Sequence, residues 1–192
     1  APLALSKGAV RVPAVEAWFQ VDRLDLSPLP DLAGVSIDWA YDVDLLDNAS
    51  QGRCLTALFD EVLRRHDLPR RLADEGCAID VPKLTAFIRD CEENYGDNAY
   101  HNRLHGADVL AGVHRFLCAS PDAERAKAGL SATAARSFAA LETFAAVFAA
   151  AIHDYRHPGT SNAHEIRKDS PLAVLYHDES VLESHHLAES FK

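Results

Sequence analysis

The sequence predicts an all-α fold, and three observations carry that prediction. Apolar residues recur at three- and four-residue spacing through most of the chain beyond residue 37. No run of four or more residues alternates as a half-buried strand does. Alanines interleave the apolar positions of residues 138–152, which suits helices that approach one another closely.

Taken in order, residues 1–37 carry prolines at 2, 13, 28 and 30 without sustained periodicity, and read as an irregular arm. Residues 38–192 read as the domain. Leu55, Leu58, Phe59, Val62 and Leu63 share one helix face. Leu84, Phe87, Ile88 and Cys91 share another, and Val109, Val113, Phe116 and Leu117 a third. Residues 119–131 read as a surface connection. Phe138, Leu141, Ala145, Phe148 and Ile152 form the next stripe, which Pro158-Gly159 closes. Residues 162–168, 171–176 and 179–191 read as short or final helices, and no internal repeat is present.

The chain has 192 residues, enough for one domain with a real core, and 48% hydrophobic residues, ordinary for a soluble protein. Its formal net charge of −10 argues against nucleic acid or an anionic membrane as a partner. The most apolar run, residues 144–152, is far short of the ~20 residues that a bilayer span takes. Four cysteines (Cys54, Cys77, Cys91, Cys118) form no CxxC pair, a pattern of unpaired, buried thiols in a reducing cytosol, so the expected location is cytoplasmic. The chain begins with Ala, holds no Met and stops without a helix-stop signal, so it is expected to be a segment.

Nine of the ten histidines fall between residues 101 and 186. His101 and His105 stand four apart, on one face if helical. His153-Asp154 closes the long Ala-rich run, His157 follows one short loop later, and Glu183, His185 and His186 end the series. Imidazole with carboxylate suits Zn²⁺, Mn²⁺ or Fe, and an oxygen-rich neighbouring site suits Mg²⁺. His105, His153 and Asp154 can form one face of a metal site, and the two oxygens of Asp154 allow it to bridge to a second ion. Two bridged ions hold a hydroxide at neutral pH and clamp phosphoryl oxygens. His101 is the best candidate to protonate a leaving oxygen. That chemistry is phosphoester hydrolysis. Serine-hydrolase, HExxH and Gly-rich phosphate-loop motifs are absent, and no cysteine neighbours the clustered His101, His105, His153 and His157.

YHNRLHGADV (100–109), AAAIHDYRHPGTSN (149–162) and LAVLYHDESVLESHH (172–186) resemble, in order and spacing, the YHNxxHAxDV, HDxxHPGxxN and LYNDxSVLENHH segments of the class I 3',5'-cyclic nucleotide phosphodiesterases, a family of the His-Asp superfamily. DWAYDVDLLDNAS (38–50) and LTALFDEVLRRHDLPRRL (55–72) resemble the helices that precede the signature, most closely in the calcium/calmodulin-dependent branch. The resemblance implies the all-α helical bundle of that catalytic domain, incomplete at its C-terminal end.

It further implies hydrolysis of cyclic AMP, cyclic GMP or both to 5'-monophosphates, in cyclic nucleotide signalling, with two divalent ions, usually Zn and Mg, Mn being an alternative. His101 would be the general acid, and His105, His153 and Asp154 the metal ligands. His157 and Glu183 would hold metal-bound waters. Tyr100 would line the substrate pocket, with Asn102 supporting the His101 segment, and Asp108, Asn162 and His186 would be structural hydrogen-bond partners. The family's fourth metal ligand, an aspartate, and its purine-gripping glutamine would lie beyond residue 192.

Gly106, His177 and Ser184 depart from the family's Ala, Asn and Asn, and Arg156 stands where an acidic residue is usual. Arg156 is expected to be a solvent-facing substitution. Residues 1–37 show no basic amphipathic helix of the kind calmodulin grips, which argues against calmodulin as a partner. Oligomeric state is not legible. The alternative expectation is a truncated or degenerate domain that acts, if at all, by binding a partner. A nucleotidase of the wider superfamily is disfavoured by the YHN and SVLExHH segments.

Overall fold

The computed structural model describes residues 41–118 and 138–192. The irregular arm expected over 1–37, the domain boundary after it and the surface connection of 119–131 lie outside the described residues. Among the described residues there are nine α-helices and no strand. They are α1 (Val43–Ala49), α2 (Cys54–Arg65), α3 (Leu68–Asp74), α4 (Val81–Glu93), α5 (Arg103–Cys118), α6 (Ala140–Ile152), α7 (Asn162–Arg167), α8 (Pro171–Leu175) and α9 (Val181–Ser190).

Helices α2, α5 and α6 form the centre. α5 packs against α2 on one side and α6 on the other, α1 and α4 lie against α2, and α3 bridges α2 to α6. The stripe expected on α2 is its core face, since Leu55, Leu58, Phe59, Val62 and Leu63 are all fully buried. On α4, Ile88 and Cys91 are buried while Leu84 and Phe87 pack on the edge of the core. Removing such side chains from water stabilises by about 1.5–3 kcal/mol each.

On α5 and α6 the buried face differs from the expected stripe. Phe116 is 67% exposed, and Gly106, Ala107, Leu110, Ala111 and His114 are buried instead. Phe138, just before α6, and Leu141 are about half exposed, whereas Ile152 is buried as expected and Phe148 packs on the edge of the core; Ala140, Thr143, Val147, Ala150 and Ala151 are also buried. On both helices the buried positions are occupied largely by alanine, with Leu110 and Val147 among them, rather than by the phenylalanines. Among the cysteines, Cys54 and Cys91 are buried as expected, whereas Cys77 is exposed.

Two helix starts are capped from a distance. Arg53 offers α2 no side-chain cap. Instead, Glu92 of α4 accepts from the Leu55 amide at 2.7 Å, the Thr56 amide at 3.2 Å and the Thr56 hydroxyl at 2.5 Å. Glu75, just beyond α3, likewise accepts from the Ala140 and Leu141 amides that open α6. Each carboxylate satisfies orphan amides and sits at the positive end of a helix dipole. Arg103, opening α5, donates to both Asp47 oxygens at 3.0 and 2.8 Å, which ties α1 to the start of the helix that bears His105.

Between α2 and α4, the Thr85 hydroxyl donates to Asp60 at 2.7 Å. Burial pushes the Asp60 carboxyl up to about 6, against the hydrogen bond and the charge of Arg89. A folded-state pKa above the unfolded one, near 3.9, makes this contribution to stability fully present below the unfolded value. It is lost as pH rises through about 6. Asp60→Asn is therefore expected to remove that loss. Urea midpoints measured on both sides of the window should fall less for the variant than for the parent, and equal falls would remove Asp60 from the account.

Candidate metal centre

The segment that bears the first histidines departs from a continuous helix. α5 begins at Arg103, so His101 lies in the turn before it and only His105 stands in its first turn. Asn102 makes the junction: its Oδ1 accepts from the Leu104 and His105 amides at 2.9 and 3.3 Å, as a helix N-cap does. Its Nδ2 donates to the Asn98 carbonyl. His101 and His105 still face one another, with ring centroids 5.7 Å apart.

His153 ends α6 as its C-cap, and Asp154 follows in a turn. His105 Nε2, His153 Nε2 and Asp154 Oδ2 form a triangle with every side 3.2 Å. Donors about 2.1 Å from one ion lie about 3.0 Å apart at right angles and about 3.4 Å apart in a tetrahedron, so this triangle suits a divalent ion. The His153 Nδ1–H donates to the Ala150 carbonyl at 2.9 Å, which turns the lone pair of Nε2 toward the centre.

The other oxygen of Asp154 faces a second donor group. Asp154, His157 and His186 bring one ligand atom each within 4.8 Å of one another, and His186 Nε2 stands 3.5 Å from Asp154 Oδ1. His186 is oriented like His153, its Nδ1–H donating to the Tyr155 carbonyl at 2.8 Å. His157 differs. Its Nδ1 accepts from the Gly159 amide at 2.9 Å, so a neutral His157 carries its proton on Nε2, as a donor to water or substrate.

Electrostatics follow this geometry. Burial would raise the Asp154 pKa, but His153 first, then His186 and His157, hold it down at about 2. Burial lowers His105, and the His153 charge lowers it further. Burial also opposes a charge on His153, yet its bonds to Asp154 and Ala150 outweigh that and move it up. Burial, reinforced by His101, pushes His157 down to about 4. The centre is thus an ionised carboxylate ringed by imidazoles.

His101 stands apart from both donor groups. Its Nε2 lies 3.9 Å from Asp154 Oδ2, and its ring stacks on His157 with centroids 3.6 Å apart and planes at 10°. Tyr100 is 65% exposed, with its ring near those of His101 and His105. Glu183 belongs to neither donor group; both its oxygens accept from Asn162 Nδ2, at 3.2 and 3.1 Å. Asn162 Oδ1 accepts from the Leu182 amide, so this asparagine joins α7 to the start of α9.

Three residues have larger structural parts than the sequence suggests. His186, read there as a structural partner, faces Asp154 directly. Tyr95, fully buried, accepts from the Asp154 amide through its hydroxyl at 3.3 Å. Gly106 makes room for it, since a Cβ there would meet the Tyr95 ring at 3.0 Å. Asn98 donates to the His157 carbonyl at 2.6 Å and the His101 carbonyl at 3.3 Å, clasping the two histidine loops together. The place of Asn98 in the run DNAYHN was the one available signal.

Gly159 completes that clasp. Its φ is +80°, and a Cβ would stand 2.6 Å from Asn98 Oδ1. Gly159→Ala is expected to destabilise the protein by about 1–3 kcal/mol. Denaturant midpoints check this, and an unchanged midpoint would show that the clasp yields freely. Arg156, with φ +55°, pairs with Glu189 of α9 at 2.8 Å and lies over the Tyr155 ring. Its side chain is about half exposed, and its charge is directed to Glu189 rather than to a donor carboxylate.

Residues 100–192 match the 3'5'-cyclic nucleotide phosphodiesterase family. The chain is 39% identical over 156 residues to the human dual specificity calcium/calmodulin-dependent 3',5'-cyclic nucleotide phosphodiesterase 1C, covering 80% of this chain and 20% of that protein. It is 37% identical over 156 residues to the 1B enzyme of Mus musculus, covering 80% of this chain and 26% of that protein. The chain thus spans about a fifth to a quarter of the length of these relatives. Among solved structures, the phosphodiesterase domain of the RhoPDE fusion protein from the choanoflagellate Salpingoeca rosetta superposes with a TM-score of 0.63 at 29% identity. That match covers 80% of this chain and 41% of the other. No helix among the described residues is long and apolar enough to cross a membrane.

Proposed function

Because the chain belongs, through residues 100–192, to the 3'5'-cyclic nucleotide phosphodiesterase family, we propose that the protein hydrolyses 3',5'-cyclic nucleotides to 5'-monophosphates at the centre around Asp154. The observation that carries this reading is the single carboxylate of Asp154 with imidazoles on both sides, His105 and His153 at one oxygen and His186 at the other, with His157 beside them as a proton-bearing neighbour.

His105, His153 and Asp154 would hold one ion, and Asp154 would extend to the second. Zn²⁺ suits His105, His153 and Asp154, and a second ion such as Mg²⁺ or Mn²⁺ would take its oxygen donors from Asp154 and from water. When bound, the ions supply Lewis acidity toward the phosphoryl oxygens and toward water. Tyr95 fixes the backbone of Asp154, and the Ala150 and Tyr155 carbonyls fix the rings of His153 and His186.

His101 acts as the general acid. It delivers a proton to O3' as the P–O3' bond breaks, while a water oxygen forms the new bond to phosphorus. Asn98 holds the His101 backbone, and the His157 ring stacked on His101 restricts its tilt. With its proton on Nε2, His157 donates to a water or phosphoryl oxygen nearby. Glu183, held by Asn162, orients water at the rim, and Tyr100 lines the approach. Dual specificity in the named relatives supports testing both cyclic AMP and cyclic GMP.

The product separates this mechanism from its mirror. Cleavage at O3' gives a 5'-monophosphate, which chromatography resolves from the 3' isomer. A 5' product is expected, and a 3' product would remove His101 from the leaving-group side.

A further inference from the structure

A second cluster of metal-ligating side chains lies at the opposite end of α5. His66 is the C-cap of α2, and His114 and Cys118 stand four residues apart on one face of α5. At 1.5 Å per residue, they lie about 14 and 20 Å along the helix from His105. His66 Nε2 is 2.9 Å from His114 Nδ1. Cys118 Sγ is 3.7 Å from His114 Nε2 and 3.8 Å from Nδ1. One donor atom from each of the three residues lies within 4.8 Å of the others.

Donors on a tetrahedral zinc ion, with Zn–N about 2.0–2.1 Å and Zn–S about 2.3 Å, stand about 3.3 Å apart for two nitrogens and about 3.6 Å apart for nitrogen and sulfur. The observed spacings differ from these by a few tenths of an ångström. We propose that His66, His114 and Cys118 form a separate metal site that takes a thiophilic divalent ion such as Zn²⁺ and pins the end of α2 to the end of α5.

Two imidazoles and a sulfur select Zn²⁺ over the harder Mg²⁺. His114 is 1% exposed, and burial, aided by His66 and Arg65, pushes it down to about 4. Burial, with Arg71 and Arg65, lowers His66 as well. Both shifts favour the neutral imidazole, the form that binds metal. The guanidinium groups of Arg65, Arg71 and Arg115 oppose a bound cation here; Arg65 is paired with Glu61 at 2.7 Å, and Arg71 donates to the His66 and Phe138 carbonyls. Loss of the thiol proton on binding would add a negative charge at Cys118. Joining residues 48 apart in sequence, His66 and His114, such an ion would stabilise the helix pair that presents His105.

Cobalt(II) tests this directly, because the Asp154 centre contains no sulfur. Titration of the full chain with cobalt(II) is expected to give a saturable thiolate-to-cobalt charge-transfer band with the intensity of one thiolate ligand. The band should vanish in Cys118→Ser, fall sharply in the milder His66→Gln, and persist in Asp154→Asn. Circular dichroism confirms that each variant is folded. No band in the folded parent, a band that survives Cys118→Ser, or one that disappears in folded Asp154→Asn would overturn the proposal.

Discussion

Asp154→Asn is expected to abolish turnover and to weaken binding at both ion positions, because one carboxylate serves both donor groups. Asparagine has one side-chain oxygen and no charge, so it cannot offer an anionic oxygen to each side. The ring of imidazoles that holds Asp154 at about 2 then loses its one anion. Losing a residue that only orients a ligand costs about 10–100-fold in metal affinity, so losing the ligand itself should exceed that range. Competition titration with zinc and with manganese measures the affinities. A variant that binds both ions as the parent does would remove Asp154 from the bridging position. His157→Asn gives the contrast: the Asp154 triangle with His105 and His153 stays intact, so the first ion should be retained.

His101→Ala carries the second largest expectation, a fall in kcat of roughly 10²–10⁴-fold with metal content unchanged. The separation of effects follows from placement. His101 lies 3.9 Å from Asp154 and belongs to neither donor group, so its loss removes a proton donor without removing a ligand. An unchanged kcat would assign proton delivery elsewhere. A fall in metal content equal to the fall in rate would make His101 a support for the centre instead.

The chemistry was legible in the sequence to an uneven degree. The three motif segments name most of the residues that meet at Asp154, because ligand chemistry restricts residue type strongly and the order of segments is itself information. Local pattern also identified α2, whose apolar stripe and buried face coincide. The rule held only in part on α5 and α6: Ile152 is buried and Val109, Val113, Leu117 and Phe148 pack at the core edge, but alanines fill much of the buried face while Phe116 and Leu141 are exposed. Caps supplied by Glu92 and Glu75 were illegible for another reason: each serves a helix more than thirty residues away, so no local window contains both partners.

Supporting residues were harder to read than ligands. Tyr95 and Asn98 act through a hydroxyl and an amide that touch backbone atoms of Asp154, His157 and His101, and backbone contacts leave little trace in a motif. Gly106 read only as a departure from the family's alanine. In the fold it is the space that Tyr95 occupies beside Asp154. Arg156 read as an isolated substitution, and Glu189, thirty-three residues later, is the partner that accounts for it.

The most direct test of a metal-dependent cyclic phosphodiesterase centred on Asp154 is hydrolysis of cyclic AMP and cyclic GMP by the protein stripped with a chelator and then resupplied with ions. The account predicts that turnover ceases on stripping and returns with Zn²⁺ together with Mg²⁺ or Mn²⁺ in the parent, but not in Asp154→Asn. Sustained turnover in the stripped protein, or restored turnover in Asp154→Asn, would contradict it.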